Sequence, residues 1–308
     1  MNEPLEDLTT EQINSKSSHI DMCTTKEILE IINREDMLVP QAVAEQIDSI
    51  TEAVDAVAAA IKSGGRLFYV GAGTSGRLGM LDAVECPPTY GTEPELVKAI
   101  IAGGEEALFH SIEGAEDNEE CGRAAIIENN ITDRDVVVGI TASGRTPFVL
   151  AAIREARAKG AKTVGVSNNS QSLINKLVDI DITLLVGQEV IMGSTRMKSG
   201  TSQKLVLNMI TTAVMIKLGK VYGNLMVDLK PTNKKLADRA IRIVMHAAGL
   251  DENEAKEYLE LSGMNPKAAI VMYMTKTDKE TAMNLLSQNM GFVTKAIDDY
   301  RANNGRPA

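Results

Sequence analysis

Short apolar runs alternate with amphipathic stretches through the middle of the chain. Strand-forming residues dominate the runs, and helical periodicity of apolar positions marks the stretches between them. The predicted strands are residues 67–70, 96–101, 136–140, 163–166 and 182–186. The predicted helices between them are residues 75–85, 104–112, 119–128, 147–159 and 172–178. Strands that alternate with helices are typical of a parallel sheet covered on both faces, so we predict an α/β fold with a five-stranded parallel sheet.

Helical patterns also stand on both sides of this region. Residues 25–33 form a short amphipathic pattern behind a threonine cap, and Pro40 can open a second helix that continues to residue 62. Residues 197–218 are apolar on almost every side of a helix. Such a helix is expected to be buried in the fold or shared with a second subunit.

The last part of the chain contains helical patterns alone. They lie at about 234–248, 252–261, 266–275, 278–287 and 291–303. We therefore predict an N-terminal tail with helices at residues 1–56, the α/β domain at 57–228 and a small C-terminal helical module at 229–308. Residues 230–233, with their proline, are the expected boundary of that module.

Composition narrows the class of protein and its compartment. A formal net charge of −10 without a basic cluster makes nucleic acid and anionic membranes poor partners. The three cysteines, at wide spacing, form neither a disulfide framework nor a zinc pattern, which fits a reducing compartment. The first residues do not resemble a signal peptide, and no apolar run approaches the ~20 residues that span a bilayer. We expect a cytoplasmic protein.

The first candidate site is the glycine-rich turn after the first predicted strand. The stretch Gly71-Ala-Gly-Thr-Ser-Gly76 joins a strand to a helix, so its backbone N–H groups and the positive helix end face one point, where an anion can bind. Thr74, Ser75 and Gly76 are the candidate phosphate-binding residues. The match to a dinucleotide fingerprint is weak, because Glu105 is the only acidic residue near the end of the next strand. A tight turn without a ligand is the alternative.

A second loop of the same kind follows the third predicted strand. Pro147 suits the first turn of the next helix, and hydroxyl groups gather just before it. The candidate phosphate-binding residues of this loop are Ser143, Gly144, Arg145 and Thr146. A nucleotide-binding fold needs one such loop, so two of them suggest a single phosphoryl group held from both sides. Two ordinary capped turns are the alternative.

Two glutamates near the strand ends are candidates for proton transfer. Glu85 precedes Pro87 and Pro88, which are expected to end the helix, and a helix C-terminus disfavours the charged form of a carboxylate. Glu116 lies in a break after the second strand. In a site without water, the pKa values of two ionisable groups can be pushed apart, so that one group acts as an acid and the other as a base. A solvated surface charge is the alternative for each glutamate.

Several other polar residues are left with two interpretations. His110 is a possible base, although an ordinary helix face is the simpler expectation. Cys86, next to Glu85, is a candidate thiol nucleophile, but a structural role is favoured because no histidine is paired with it in the sequence. Arg196 and Lys198 either neutralise a ligand anion or belong to a basic loop. No histidine, cysteine and aspartate cluster has metal-binding spacing, so no metal cofactor is expected.

These motifs together resemble a known family. The two phosphate loops resemble the sugar isomerase (SIS) domain, and longer stretches resemble the N-acetylmuramic acid 6-phosphate etherases. The matching stretches are residues 71–79, 85–91, 113–117, 142–147, 193–198 and 204–209. The similarity runs from about residue 20 to residue 300. The C-terminal helices resemble the ubiquitin-associated-like module of that family.

The resemblance implies a homodimeric cytoplasmic lyase that needs neither metal nor nucleotide. It would split the D-lactyl ether of N-acetylmuramate 6-phosphate with water, giving N-acetylglucosamine 6-phosphate and D-lactate. Carried over by motif, Glu85 is the proton donor and Glu116 the second acid/base residue. The competing functions are a phosphosugar isomerase and a regulator that senses phosphosugars without catalysis.

Overall fold

The computed structural model describes residues 8–170, 172–229, 231 and 234–304. The chain forms two compact units, one from the residues up to Val84 with Pro94–Thr211, the other from Glu85–Glu93 with the residues from Thr212 onward. Lys230, Thr232 and Asn233, at the predicted boundary of the C-terminal module, lie outside the described residues. The predicted division of the chain at residues 56 and 228 stays a prediction.

The first unit contains the predicted five-stranded parallel sheet. Its strands are β1 (Leu67–Gly71), β2 (Val97–Ile101), β3 (Val136–Ile140), β4 (Lys162–Ser167) and β5 (Ile180–Thr183). The strand order is β2-β1-β3-β4-β5, and every neighbouring pair is parallel. Every residue of β1 and β3 is buried, as expected for central strands covered on both faces.

Among the described residues, seven α-helices begin in the first unit. They are α1 (Thr25–Asp36), α2 (Val39–Ala44), α3 (Ile47–Lys62), α4 (Gly73–Tyr90), α5 (Glu119–Glu128), α6 (Pro147–Ala158) and α7 (Lys198–Lys217). Phe68 and Val70 pack in one core cluster with Phe148 and Ile153 of α6. Tyr69 points to the opposite face of the sheet, where its hydroxyl donates to Asp82 of α4 at 2.9 Å.

Two predictions about helix boundaries were wrong. The helix predicted from Pro40 to residue 62 is divided into α2 and α3, because Gln46 leaves the helical conformation and its side-chain oxygen accepts the backbone N–H of Thr183 at 3.1 Å. The proline pair does not end α4. Pro87 and Pro88 lie inside it, since proline removes a hydrogen-bond donor but has a helical φ angle.

Three further elements differ from the predicted ranges. The helices predicted at 104–112 and 172–178 are only the 3-10 turns Glu105–Leu108 and Ile174–Lys176. Gly103 and Gly104 precede the first of these turns with φ angles of +87° and +69°, which are not helical. The strand β5 ends three residues earlier than predicted, because the backbone N–H of Val186 donates to the carbonyl oxygen of Leu184 at 3.0 Å, a local turn contact in place of a strand partner.

The second unit contains the predicted helical module. Its helices are α8 (Lys234–Ala248), α9 (Glu252–Leu261), α10 (Pro266–Thr275), α11 (Lys279–Gln288) and α12 (Val293–Asn303). Gly249 and Gly263 follow α8 and α9 with φ angles of +69° and +73°, as expected for C-terminal caps. None of the helices in the described residues has the length and apolar character needed to cross a membrane.

Candidate active site

The two predicted phosphate loops leave neighbouring strands at the same edge of the sheet. β1 and β3 are paired in parallel, with Gly71 opposite Ile140 at their carboxyl ends. The chain continues from β1 to β2 on one side, and β3 lies on the other side. Ligands of open α/β sheets bind beyond the carboxyl ends of the strands at such a reversal of strand order. The structure therefore brings the two loops together at the expected position for a ligand.

Glycines allow the first turn of α4 to lie directly on the sheet. A Cβ atom on Gly76 would lie 2.6 Å from Cγ1 of Ile101 and 2.8 Å from the carbonyl oxygen of Gly71. Gly73, where α4 begins, has a φ angle of +51°. The first N–H groups of a helix have no carbonyl partner within the helix, so this turn offers donors to an anion above β1.

Ser75 is held in a buried polar network that the sequence did not reveal. Its hydroxyl donates to Oε1 of Gln203 at 2.8 Å, and Nε2 of Gln203 donates to Oδ1 of Asn168 at 3.0 Å. Asn168 in turn donates to the hydroxyl of Ser202 at 2.9 Å and to a carbonyl oxygen at 3.0 Å. The hydroxyl proton of Ser75 is thus engaged within the protein. Its backbone N–H, in the first turn of α4, is the group better suited to phosphate.

Thr74 is the hydroxyl residue of the first loop that is only half-buried. Its methyl group lies on the side of Gly200 in α7, where an added Cβ atom would approach it to 3.3 Å. The methyl group thus lies next to α7. The role of the Thr74 hydroxyl in phosphate binding stays a prediction.

Hydroxyl groups cluster in the second loop. Oγ1 of the buried Thr141 lies 2.8 Å from Oγ1 of Thr146 and 3.3 Å from Oγ of Ser143. The backbone N–H of Arg145 donates to Oγ of Ser143 at 3.3 Å. Thr146 directly precedes Pro147, the first residue of α6, so the cluster lies at a helix N-terminus. Three hydroxyls that already exchange hydrogen bonds can reorient to donate to phosphate oxygens.

The shape of the second loop depends on Gly144. Its φ angle is +72°, and a Cβ atom there would lie 2.1 Å from Cβ of Ser172. Ser172 is buried and donates its hydroxyl to Oδ1 of Asn175 at 2.7 Å. A side chain at position 144 would therefore strain the loop and collide with a fixed neighbour.

A cleft joins the start of α4 to Glu116. Its volume is about 290 Å³, and its walls include Gly73, Arg77, His110, Glu113 and Glu116. Glu116 lies in the 3-10 turn Ala115–Asp117, and its side chain is exposed. The structure thus places this predicted acid/base residue in the same cleft as the first phosphate loop.

Arg77 fixes one wall of this cleft, a role that the sequence did not indicate. Its Nε atom donates to the carbonyl oxygen of Leu108 at 3.3 Å, and Nη2 donates to that of His110 at 3.0 Å. His110 follows a 3-10 turn and is exposed at the cleft, so the expectation of an ordinary helix face was wrong. Its role as a base stays a prediction.

Glu85 lies on α4 with an exposed side chain and belongs to the second compact unit. Its pairing with Glu116 in one reaction stays a prediction. Cys86, beside it, is buried, which favours the structural interpretation of this thiol.

Lys198 has a structural role rather than a ligand-binding one. Its buried ammonium lies 2.7 Å from Oε2 of the buried Glu35. Burial alone would raise the pKa of Glu35, but hydrogen bonds from Lys198, Lys16 and Asn14 outweigh it and lower the pKa to about 2. Arg196 is exposed in the loop before α7, so of the two basic residues it is the one still able to meet a ligand.

A buried carboxylate occupies the N-terminus of α7. Glu189 accepts the backbone N–H groups of Lys198 and Ser199 at 3.0 and 2.9 Å, and the Ser199 hydroxyl at 2.9 Å. Because this carboxylate already satisfies the positive end of the helix, α7 offers no further phosphate site there.

Asp82 links α4 to α7 beneath the candidate site. It accepts hydrogen bonds from Tyr69 at 2.9 Å, Asn208 at 2.7 Å and Thr211 at 3.2 Å. Burial raises the pKa of Asp82, and these hydrogen bonds offset that effect only in part.

In the described part of the chain, no group of three or more histidine, cysteine or acidic side chains is arranged to hold a metal ion.

Comparison with known families and structures defines the class of protein. Residues 124–213 match the SIS domain, and residues 49–157 match the glucokinase regulatory protein N-terminal SIS domain. A phosphoheptose isomerase from Francisella tularensis has the same fold, with a TM-score of 0.50 and 16% sequence identity over 63% of this chain and 100% of that one. The chain is thus a SIS-domain protein.

Closer relatives identify the family. An N-acetylmuramic acid 6-phosphate etherase from Clostridium acetobutylicum is 61% identical over 297 residues, which cover 96% of this chain and 98% of that protein. The etherase from Clostridioides difficile is 50% identical over 293 residues, covering 95% of this chain and 96% of that protein. The chain belongs to the N-acetylmuramic acid 6-phosphate etherase family.

Proposed function

We propose that this chain cleaves the D-lactyl ether of N-acetylmuramate 6-phosphate with water and releases D-lactate and N-acetylglucosamine 6-phosphate. The observation that carries this proposal is the 61% identity to a named etherase over 96% of the chain. The two loops at the point where the strand order reverses support it, because they suit a phosphosugar. The reaction makes the chain a carbon–oxygen lyase of amino-sugar metabolism.

The chemistry requires few groups. An ether is hard to hydrolyse directly, but in the ring-opened sugar the aldehyde at C1 makes the C2 proton acidic. A base removes that proton, the C3–O bond breaks to release lactate, and water adds to the unsaturated aldehyde at C3. The protein must supply a base, an acid for the departing oxygen and an anchor remote from the reacting carbons. Neither a metal nor a nucleotide is needed in this scheme.

We assign these roles to the residues of the candidate site. Glu85 is the proton donor and Glu116 the second acid/base residue; the position of Glu116 in the cleft beside Gly73 supports its role. Both loops hold the phosphate, and Arg196 neutralises it. The proposed phosphate-binding residues are Thr74, Ser75, Gly76, Ser143, Gly144, Arg145, Thr146 and Arg196.

We further propose a cytoplasmic homodimer that buries part of α7 together with α2 and α3. Large apolar side chains are exposed on these elements, among them Leu38 just before α2, Ile47 of α3 and Met209 of α7. A second copy of the chain would remove this apolar surface from water. Sedimentation analysis at micromolar concentration should give the mass of a dimer, and a stable, active monomer would contradict this assembly.

The decisive experiment is an assay for D-lactate with N-acetylmuramate 6-phosphate as substrate. A phosphosugar isomerase or a regulator would release no lactate, and unphosphorylated N-acetylmuramate should react poorly if the phosphate is the anchor. In heavy-oxygen water, elimination and hydration place the label at C3 of the sugar product and none in lactate. In deuterated water the product gains deuterium at C2.

The variant Glu85→Gln tests the assigned proton donor. It keeps the size of the side chain but removes proton transfer, which contributes typically ~100- to 10,000-fold to rate. Lactate release should fall by this factor while phosphosugar binding is retained. Near-normal turnover would remove Glu85 from the mechanism, and heavy oxygen in lactate would replace elimination by direct displacement at the lactyl carbon.

A further inference from the structure

We infer that Arg77 binds the carboxylate of the substrate's lactyl group and so selects the lactyl ether over other phosphosugars. This inference rests on the proposed function, because it names the group that recognises the leaving lactate. Arg77 is not among the residues that the motifs of the two phosphate loops indicated.

The substrate carries two anionic groups, and the two phosphate loops account for only one of them. The lactyl carboxylate lies on the oxygen that leaves C3, so it must approach the acid/base residue. Glu113 and Glu116 line the cleft and would repel this carboxylate. A cation in the same cleft is therefore needed for the substrate to bind with its ether beside Glu116.

Arg77 is the only lysine or arginine among the described residues that line this cleft. Arginine stays protonated in proteins, and its planar fork matches the two oxygens of a carboxylate. The Nε and Nη2 contacts with Leu108 and His110 use two of the five N–H groups of Arg77. The N–H groups beyond those two contacts are sufficient for a two-point contact with a carboxylate.

Arg77 lies near the first phosphate loop. It is one helical turn after Gly73, where the N-terminus of α4 offers its N–H groups to the proposed phosphate. Side chains of a helix lean toward its N-terminus, so the guanidinium extends back along α4 toward the cleft. The hydrogen bonds to the carbonyl oxygens of Leu108 and His110 hold it there.

If Arg77 binds the lactyl carboxylate, its removal should abolish the preference for the charged lactyl acid over the neutral lactyl amide. Binding should be measured by calorimetry in the Glu85→Gln background, in which turnover is expected to be ~100- to 10,000-fold slower. The ligands are N-acetylmuramate 6-phosphate, its lactyl carboxamide and N-acetylglucosamine 6-phosphate. With Arg77 present, the acid should bind roughly 10- to 100-fold more tightly than the amide. With Arg77→Met the two should bind about equally, and Arg77→Lys should restore part of the preference.

The third ligand separates this role from others. N-acetylglucosamine 6-phosphate lacks the carboxylate, so Arg77→Met should leave its affinity within about threefold. Equal losses for all ligands would overturn the inference and assign Arg77 to the phosphate or to the shape of the cleft. A preference for the acid that survives in Arg77→Met would also overturn it, because another cation would then bind the carboxylate.

A matched control variant is Arg134→Met, since Arg134 is exposed and precedes β3 at the opposite, amino edge of the sheet. It should leave all three affinities unchanged. Circular dichroism should show that every variant is folded. Absence of D-lactate release by the wild-type chain would refute the proposed function, whereas the ratio of acid to amide affinity decides the role of Arg77.

Discussion

The ion pair between Lys198 and Glu35 yields a quantitative prediction. The two side chains are 1% and 5% exposed, with Nζ and Oε2 separated by 2.7 Å. The variant Lys198→Met removes the cation and leaves the carboxylate buried. Removal of one partner of a buried pair costs about 3–5 kcal/mol, so the free energy of unfolding at pH 7 should fall by this amount.

The same carboxylate offers an internal control. Lys16 lies 2.9 Å from Oε1 of Glu35, but its side chain is 67% exposed. An exposed cation is screened by water, so Lys16→Met should cost at most about 1 kcal/mol. The contrast between the two lysines isolates burial as the cause, because the distances to the carboxylate are similar.

The pH dependence of stability gives a second measure of this site. The pKa of Glu35 is lowered from 4.5 to about 2 on folding, which corresponds to roughly 3 kcal/mol of stabilisation. That contribution is complete above about pH 4.5 and is lost as the pH falls toward about 2. In Lys198→Met the pKa should rise toward its ordinary value, so the variant should lose less stability than the wild type between pH 5 and pH 3.

Urea-induced unfolding followed by circular dichroism measures these free energies. The double variant Glu35→Gln, Lys198→Met should recover part of the loss, because neither charge is left buried alone. Equal costs for Lys16→Met and Lys198→Met would refute the reasoning. So would a cost below 1 kcal/mol for Lys198→Met at pH 7.

Three further predictions concern the cleft and the second loop. The double variant Ser143→Ala, Thr146→Ala should weaken substrate binding at least tenfold in calorimetry, at ~1–1.5 kcal/mol per lost hydrogen bond; unchanged affinity would exclude the hydroxyl cluster. Gly144→Ala should lower the free energy of unfolding by about 2–5 kcal/mol. The control Gly64→Ala should have a smaller effect, because Gly64 also has a positive φ angle of +82° but an added Cβ atom there would meet no heavy atom of a non-adjacent residue within 4 Å. Glu116→Gln should slow D-lactate release by ~100- to 10,000-fold in steady-state assays while leaving phosphosugar affinity intact, and a normal rate would exclude its acid/base role.

Local patterns determined much of this protein. The apolar runs at β1 and β3 and the periodicity of α5 and α8 depend on neighbours a few residues away, and the structure agrees with those predictions. The two loops were also recognisable, because glycine and hydroxyl residues between a strand and a helix have a local physical reason. Parallel pairing then brought both loops to one edge of the sheet, as the alternation of strands and helices indicates.

Tertiary contacts decided the rest. Gln46 breaks a continuous apolar helix pattern because its side chain bonds to β5, far along the chain. Lys198 had two equal interpretations until the fold placed Glu35 beside it, and Ser75 is turned toward Gln203 by α7. Arg77 gave no local signal, since its partners are backbone carbonyls that any sequence provides. The periodicity of apolar positions indicates which residues are buried. Hydrogen bonds and ion pairs between distant segments form only once those segments have packed together, so the sequence pattern does not indicate them.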